Sequence, residues 1–253
     1  MVDEEREILA DETDVFEESV PWNVMEEGEE SAETQRIILL YGPSGVGKTY
    51  LGAQFPKPLL LSFDPGRQGG ALSARKFKPK QMKISDYNDL LSTLPILEEK
   101  AGISFKTLVC DSMSYLSRLV MRDILTKSGK EIPRFEEWNL LVERMRKLAL
   151  AFTDLDCHVV FTAVDALQKN ETTGDIYGGP DLPGKLAKEL PQYCDVVARL
   201  SIESQMKVVS GKAVRVPTYS YTVVGDSTYI AKDRTGLMAT SGPSSFESFE
   251  VLF

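Results

Sequence analysis

The sequence predicts an α/β fold with a mainly parallel central sheet and antiparallel strands near its C-terminal end. Three observations predict it. Short apolar, β-rich runs alternate with amphipathic stretches through most of the chain. The first apolar run leads straight into a glycine-rich loop that opens a helix. The last part of the chain holds two β-rich runs joined by a turn at "GDS". Strands that alternate with helices form a sheet covered on both faces, so its strands read as near-continuous apolar runs.

The elements follow in order. "RIILLY" (36–41) is a buried strand, and "TYLGAQF" starts a helix that Pro56 ends. "PLLLSF" (58–63) is a second strand that stops at the turn "DPG". "RQGGALSARKFKPKQMKI" reads as a basic loop, and "YNDLLSTLPILEE" (87–99) as a helix that Pro95 either breaks or restarts. "FKTLVCDS" (105–112) is a third strand ending in an acid, and "MSYLSRLVMRDIL" continues as a helix. In the next helix Trp138, Leu141, Val142, Met145, Leu148, Ala149 and Phe152 recur with a 3.6-residue period. "HVVFTAV" (158–164) is a fourth strand, followed by the polar, glycine-rich loop "DALQKNETTGDIYGGPDLPG". "KLAKEL" is a short helix and "DVVARLSI" a fifth strand, with "KAVRVPTYSYTVV" and "STYIAKDR" as the antiparallel pair. "SSFESFEVLF" closes the chain as a strand or a helix that could dock on the body. The expected division is an acidic, disordered segment over 1–35, an α/β domain over 36–240 and a C-terminal segment over 241–253.

The net charge of −9 conceals two opposite regions. Residues 1–35 hold fourteen acids and one arginine, and residues 36–253 carry a balance of +4. Within the acidic segment, "VFEESVPWNVM" sets Phe16, Trp22 and Met25 among acids, either as a solvated tail, a docking peptide or a DNA mimic. No apolar run reaches the ~20 residues of a membrane span. The N-terminal residues show no apolar signal core, so the expected location is the cytoplasm. Three cysteines without a C-x-x-C fit a reducing compartment, and a single histidine, His158 in an apolar strand, argues against zinc.

Gly42, Pro43, Ser44, Gly45, Val46, Gly47, Lys48 and Thr49 read G-x-x-x-x-G-K-T between a strand and a helix. The glycines let backbone N–H groups turn toward phosphate oxygens, Lys48 reaches the β- and γ-phosphates, and Thr49 ligates Mg²⁺. The ligand expected here is ATP with Mg²⁺. Asp111, ending "TLVCD", is placed to hold the metal through a water; a helix N-cap is the plainer reading, and both roles are compatible. A GTPase would carry an N-K-x-D guanine reader, which "QKNE" (168–171) is not. "GPSGVGK" also suits a nucleotide kinase, but no lid-like loop holds a pair of arginines.

Taken in order, "YGPSGVGKT", "KPLLLSFDPGRQGG", "KTLVCDSMSYL", "HVVFTAV", "LPGKLAKELPQYCDVVARL" and "YIAKDRTG" resemble one family. It is the phage RecA-like ATPases of the single-strand annealing and recombination group, which share an AAA-type P-loop domain. The resemblance covers roughly residues 36–240 and implies a RecA-like P-loop fold. It implies that Asp64, at the tip of the strand after the P-loop helix, positions the attacking water, although Asp-Pro-Gly also simply makes a turn. The family string usually has Glu there, and Ser62 stands where it has Asp. The fourth strand often ends Thr-Ala-His; here it is Thr162-Ala163-Val164, and Thr162 is the sensor candidate. Lys232 and Arg234 match a K-x-R pair that in RecA- and DnaB-type assemblies reaches the neighbouring subunit's γ-phosphate, against the alternative of a solvated basic turn.

The resemblance further implies a homo-oligomer, ring or filament, that binds single-stranded DNA in a phage-infected bacterial cytoplasm. A single-strand-binding or replication protein fits as a further partner. Arg75, Lys76, Lys78 and Lys80 cluster around Phe77, a composition suited to phosphate contact and base stacking and equally to a solvated loop. Lys169 lies in the loop that faces DNA in such proteins. Two further readings stay open: an ATPase that loads a protein partner, and a nucleotide kinase.

Overall fold

The computed structural model describes residues 35–66, 72–169, 174, 176–209 and 212–253. Residues 1–34, nearly all of the acidic segment expected over 1–35, lie outside the described residues.

The described elements run in this order: β1 (Ile37–Gly42), α1 (Lys48–Gly52), β2 (Pro58–Ser62), β3 (Lys80–Lys83), α2 (Tyr87–Lys100), β4 (Thr107–Asp111), α3 (Met113–Ser128) and α4 (Phe135–Thr153). There follow β5 (His158–Lys169), β6 (Ile176–Pro180), α5 (Leu186–Tyr193), β7 (Val196–Val209), β8 (Lys212–Thr222), β9 (Lys232–Asp233) and β10 (Ser241–Pro243). The strand order is β10-β8-β7-β1-β5-β4-β2-β3. From β3 to β7 every pairing is parallel; β8 and β10 extend the sheet antiparallel. The α/β class with a mainly parallel sheet is therefore the observed one.

Alternate residues of each central strand enter opposite cores, as the two-residue period requires. Leu39, Tyr41, Leu108, Cys110, Val159 and Phe161 face α2–α5. Ile38, Leu40, Leu60, Val109 and Val160 face Leu51, Phe55, Phe249 and Leu252. The C-terminal segment forms two 3-10 turns, Phe246–Ser248 and Glu250–Leu252, that cover this second face. All three cysteines are buried and free. His158 accepts a hydrogen bond from the Arg36 N–H at 3.1 Å and meets the ring of Phe253 edge-on at 4.8 Å between centroids.

Several elements differ from expectation. Helix α1 stops at Gly52, short of Pro56. Helix α2 runs unbroken through Pro95. Strand β3 appears where a loop was expected, because "KQMK" is a polar edge strand whose only strand signal is its pairing with β2. Strand β5 extends to Lys169 and folds back on β6 as a hairpin, again within an expected loop. "STYIAKDR" contributes only the two residues of β9, the preceding backbone being drawn into the turn that Asp226 caps through the N–H groups of Thr228 and Tyr229. On α4 the inward position taken for Trp138 belongs to Glu137, whose carboxylate accepts from the Arg134 N–H at 2.8 Å and from Lys130 at 2.5 Å. Trp138 is left 48% exposed.

Candidate active site

The site lies at the C-terminal ends of β1, β5, β4 and β2. Gly42 ends β1, and Gly45 and Gly47 adopt φ of 85° and 94°, the left-handed region that glycine enters without strain. Gly42 has a second constraint: a Cβ there would lie 2.3 Å from the Leu200 carbonyl oxygen of β7. The loop can close over phosphate only because its first residue has no side chain to push β7 away.

Lys48 folds back over the loop, its Nζ donating to the carbonyls of Gly42 at 2.8 Å and Pro43 at 2.9 Å. Burial lowers its pKa, while the negative charges of Asp111, Asp165 and Asp64 oppose that shift. Thr49 Oγ1 donates to Asp111 Oδ2 at 2.8 Å. Strand β5 lies between β1 and β4 and brings in a second hydroxyl. Thr162, level with Leu40 of β1, donates to Asp111 Oδ1 at 2.8 Å. Burial pushes the Asp111 carboxyl above the ordinary carboxylate range, against the opposing pull of Thr162, Thr49 and Lys48. A buried carboxylate held this way is a strong acceptor short of positive charge.

A cleft of about 450 Å³ opens onto these groups, walled by Ser44, Lys48, Thr49, Asp64, Asp111 and Ser112 among others. Asp64 follows β2 by two residues, beyond Ser62, which is level with Asp111 on β4, and walls the same cleft. Ser112 Oγ is buried here with no hydrogen-bond partner among the described residues, an exception in a buried wall that a ligand oxygen would satisfy. Thr49 Oγ1 and the Asp111 carboxylate offer the hard oxygen donors that suit Mg²⁺. Among the described residues no cluster of three or more His, Cys, Asp or Glu side chains could hold a metal. A divalent cation would therefore rest on Thr49, Asp111, waters and phosphate oxygens. Its charge would also reverse the burial penalty on Asp111.

The structure thus brings the Gly42–Thr49 loop, Asp64 and Asp111 to one cleft, with Thr162 fully buried behind Asp111. It does not bring Lys232 and Arg234 there. Lys232 pairs with Val197 of β7, which is level with Leu39, and the Arg234 N–H donates to the Asp195 carbonyl at the start of β7. Both lie toward the opposite end of the sheet from Gly42. Lys232 is half-buried and Arg234 exposed, and the pKa of Lys232 is lowered by burial first and by Arg234 second. Asp233 between them is structural: its carboxylate accepts from the N–H groups of Thr235 and Met238 and fixes the following turn.

Arg75, Lys76, Lys78 and Lys80 are exposed on a 3-10 turn and on β3. Lys76 Nζ sits 4.6 Å from the ring centroids of both Tyr50 and Phe77, which pins this stretch beside the residue that follows Thr49. The side chain of Lys169 lies outside the described residues. Sequence reasoning missed Asp165, Ser112 and Tyr115. Ser112 and Tyr115 follow Asp111 closely enough in the chain to have been suspected; Asp165 carries no local signal.

Comparison with curated proteins gives no significant match. Among solved structures, the chain is similar to a prototypical ATPase from the type III secretion system of pathogenic bacteria, at 16% identity and a TM-score of 0.43 over 66% of this chain. It spans about half of that protein's length, 52%. It is also similar to the flagellar accessory protein FlaH from Methanocaldococcus jannaschii, at 10% identity and a TM-score of 0.35, covering 81% of this chain and 83% of that one. The RadB recombinase gives 14% identity and a TM-score of 0.39, over 74% of this chain and 79% of that one. The family model described as AAA domain matches residues 34–235, which span the phosphate loop, Asp111, Thr162 and the K-D-R stretch. The chain belongs to the AAA domain family of P-loop ATPases.

Proposed function

We propose that the protein is a Mg²⁺-dependent ATP hydrolase that works on single-stranded DNA as a homo-oligomer, ring or filament, in phage recombination, annealing or replication. The observation that carries the hydrolase reading is the Asp111 carboxylate gripped by Thr49 and Thr162, with Lys48 and Asp64 on the same cleft. ATP phosphates lie along Gly42–Thr49, and Lys48 exchanges the Gly42 and Pro43 carbonyls for phosphate oxygens. Thr49 and Asp111 hold Mg²⁺, whose chemistry is to neutralise charge on the phosphates. Thr162 keeps Asp111 in register. Asp64 orients the attacking water as a general base. Because Lys232 and Arg234 lie away from their own loop, they serve the site of the next subunit, so hydrolysis needs assembly. The ATPase domain spans 36–240, and the acidic segment over 1–35 acts as a docking peptide or a brake on DNA binding.

A second reading, an ATPase that loads a protein partner, draws on Ile132 and Phe135, which are 76% and 80% exposed at the start of α4. A nucleotide kinase is the third.

Steady-state ATP hydrolysis, measured with and without single-stranded DNA across protein concentration, separates these readings. The proposal expects the rate to rise with DNA and with concentration. A rate indifferent to both sinks it. Stimulation only by a protein partner favours the loader reading, and phosphate transfer to a nucleotide by a monomer favours the kinase.

A further inference from the structure

The nucleotide cleft continues along α3. Asp64 and Tyr115 wall both the cleft and a second recess of about 440 Å³. Arg118 and Arg122 wall that second recess and also a third, of about 830 Å³, which Trp138 lines. The shared walls set three adjoining recesses in a row along α3, a groove from the phosphate loop to a half-exposed indole.

The chemistry of this groove is specific. Arg118 and Arg122 are one helical turn apart, so they project from the same face of α3. The side chain of Arg118 is 65% exposed, its guanidinium lies 4.9 Å from the Tyr115 ring centroid, and its nearest carboxylate is Asp181 at 3.8 Å. At that distance and exposure the pair is loose and leaves the guanidinium's donors open to an anion. Arg122 donates to the carbonyl of Ser85 at 2.9 Å, and both residues wall the second recess. Lys83 adds a third cation to the second recess. The acids that line the groove are Asp64, Asp111, Glu131 and Asp181. Lys130, at its far end, is committed to Glu137 at 2.5 Å. Two adjacent arginines with open donors, backed by one aromatic ring and followed by another, suit a chain of phosphates carrying bases that stack.

We propose that this groove, rather than the Arg75–Lys80 stretch, holds single-stranded DNA: Arg118 and Arg122 take backbone phosphates and Trp138 stacks a base. The inference rests on the DNA-binding reading above and gives it a route to the chemistry. A phosphate held on Arg118 lies against Tyr115, which shares a wall with Asp64, so an occupied groove bears on the residue proposed to position water.

The test is binding of a fluorescein-labelled oligothymidylate over a range of salt concentrations, with melting temperature and oligomer mass recorded for every variant. The variants are Arg118→Gln/Arg122→Gln, Arg118→Gln alone in case loss of the Arg122–Ser85 bond unfolds the chain, Trp138→Ala and Lys76→Gln/Lys78→Gln. The double arginine variant should lose at least about tenfold in affinity, and its log K against log salt slope should fall by about 1.4, at ~0.7 per phosphate contact. Trp138→Ala should weaken binding by about tenfold with the slope unchanged. No binding by the wild type overturns the DNA reading itself. Wild-type binding with the slope intact in the arginine variants overturns the groove alone, and a loss confined to Lys76→Gln/Lys78→Gln moves the contact to that stretch. A drop in oligomer mass that accounts for the lost affinity makes the groove a contact between copies and overturns the proposal.

Discussion

Thr162 and Asp111 meet across neighbouring strands: Thr162 Oγ1 donates to Asp111 Oδ1 at 2.8 Å, while Thr49 Oγ1 holds the other carboxylate oxygen. Removing the Thr162 donor frees one oxygen of a buried acid. Thr162→Val should lower the rate of ATP hydrolysis by about 10–100-fold, the kinetic equivalent of the ~1.5–3 kcal/mol carried by a hydrogen bond to a charged group. Affinity for a non-hydrolysable ATP analogue should change little. An unchanged rate would show that Thr49 alone suffices to position Asp111.

The same carboxylate sets a pH dependence. Burial raises the folded-state pKa of Asp111 above its unfolded value. Between those two values the folded chain binds the extra proton, so this group's contribution to stability falls as pH rises through the window, and the penalty is complete above it. Asp111→Asn in the nucleotide-free protein should therefore melt higher than the wild type at neutral pH. A gain of about 1 kcal/mol corresponds to about 2–4 °C in a chain of this size. The gap should close on acidification through the folded pKa. A gap that widens on acidification would be incompatible with a penalised buried charge.

If Arg234 serves a neighbour's site, two inactive proteins should rescue each other. Arg234→Ala and Lys48→Ala should each hydrolyse ATP at least about 10³-fold more slowly than the wild type. Their equimolar mixture should regain a measurable share of the rate, because some interfaces pair an intact phosphate loop with an intact arginine. A mixture no faster than its parts, under conditions where the two assemble, removes Arg234 from the chemistry.

Phe249 tests the C-terminal cover. It is fully buried, with ring centroids 6.0 Å from Phe55 and 5.0 Å from Tyr221. Phe249→Ala should cost about 3–5 kcal/mol of stability, the usual range for emptying a buried aromatic site. Calorimetric melting should show a fall of about 6–20 °C. A loss below about 1 kcal/mol would mean that the final turns contribute little to the second core.

What could be read from the chain was whatever its neighbours in sequence dictate. The phosphate loop is legible because all of its parts, from Gly42 to Thr49, are contiguous and each answers to one local demand. The core strands β1, β2, β4, β5 and β7 are legible because burial on both faces leaves an apolar run. Asp111 is legible because it ends such a run. Tertiary structure alone decided the rest. Strand β3 exists because the β2 edge offers it hydrogen bonds, and β6 because the extension of β5 does. Thr162 reaches Asp111 because the sheet inserts β5 between β1 and β4. Asp165 influences Lys48 for the same reason. The positions of Lys232 and Arg234 depend on which end of β7 the short β9 pairs with. A hydrogen-bonded strand partner is a non-local choice, made by the whole sheet, and no stretch of sequence carries it alone.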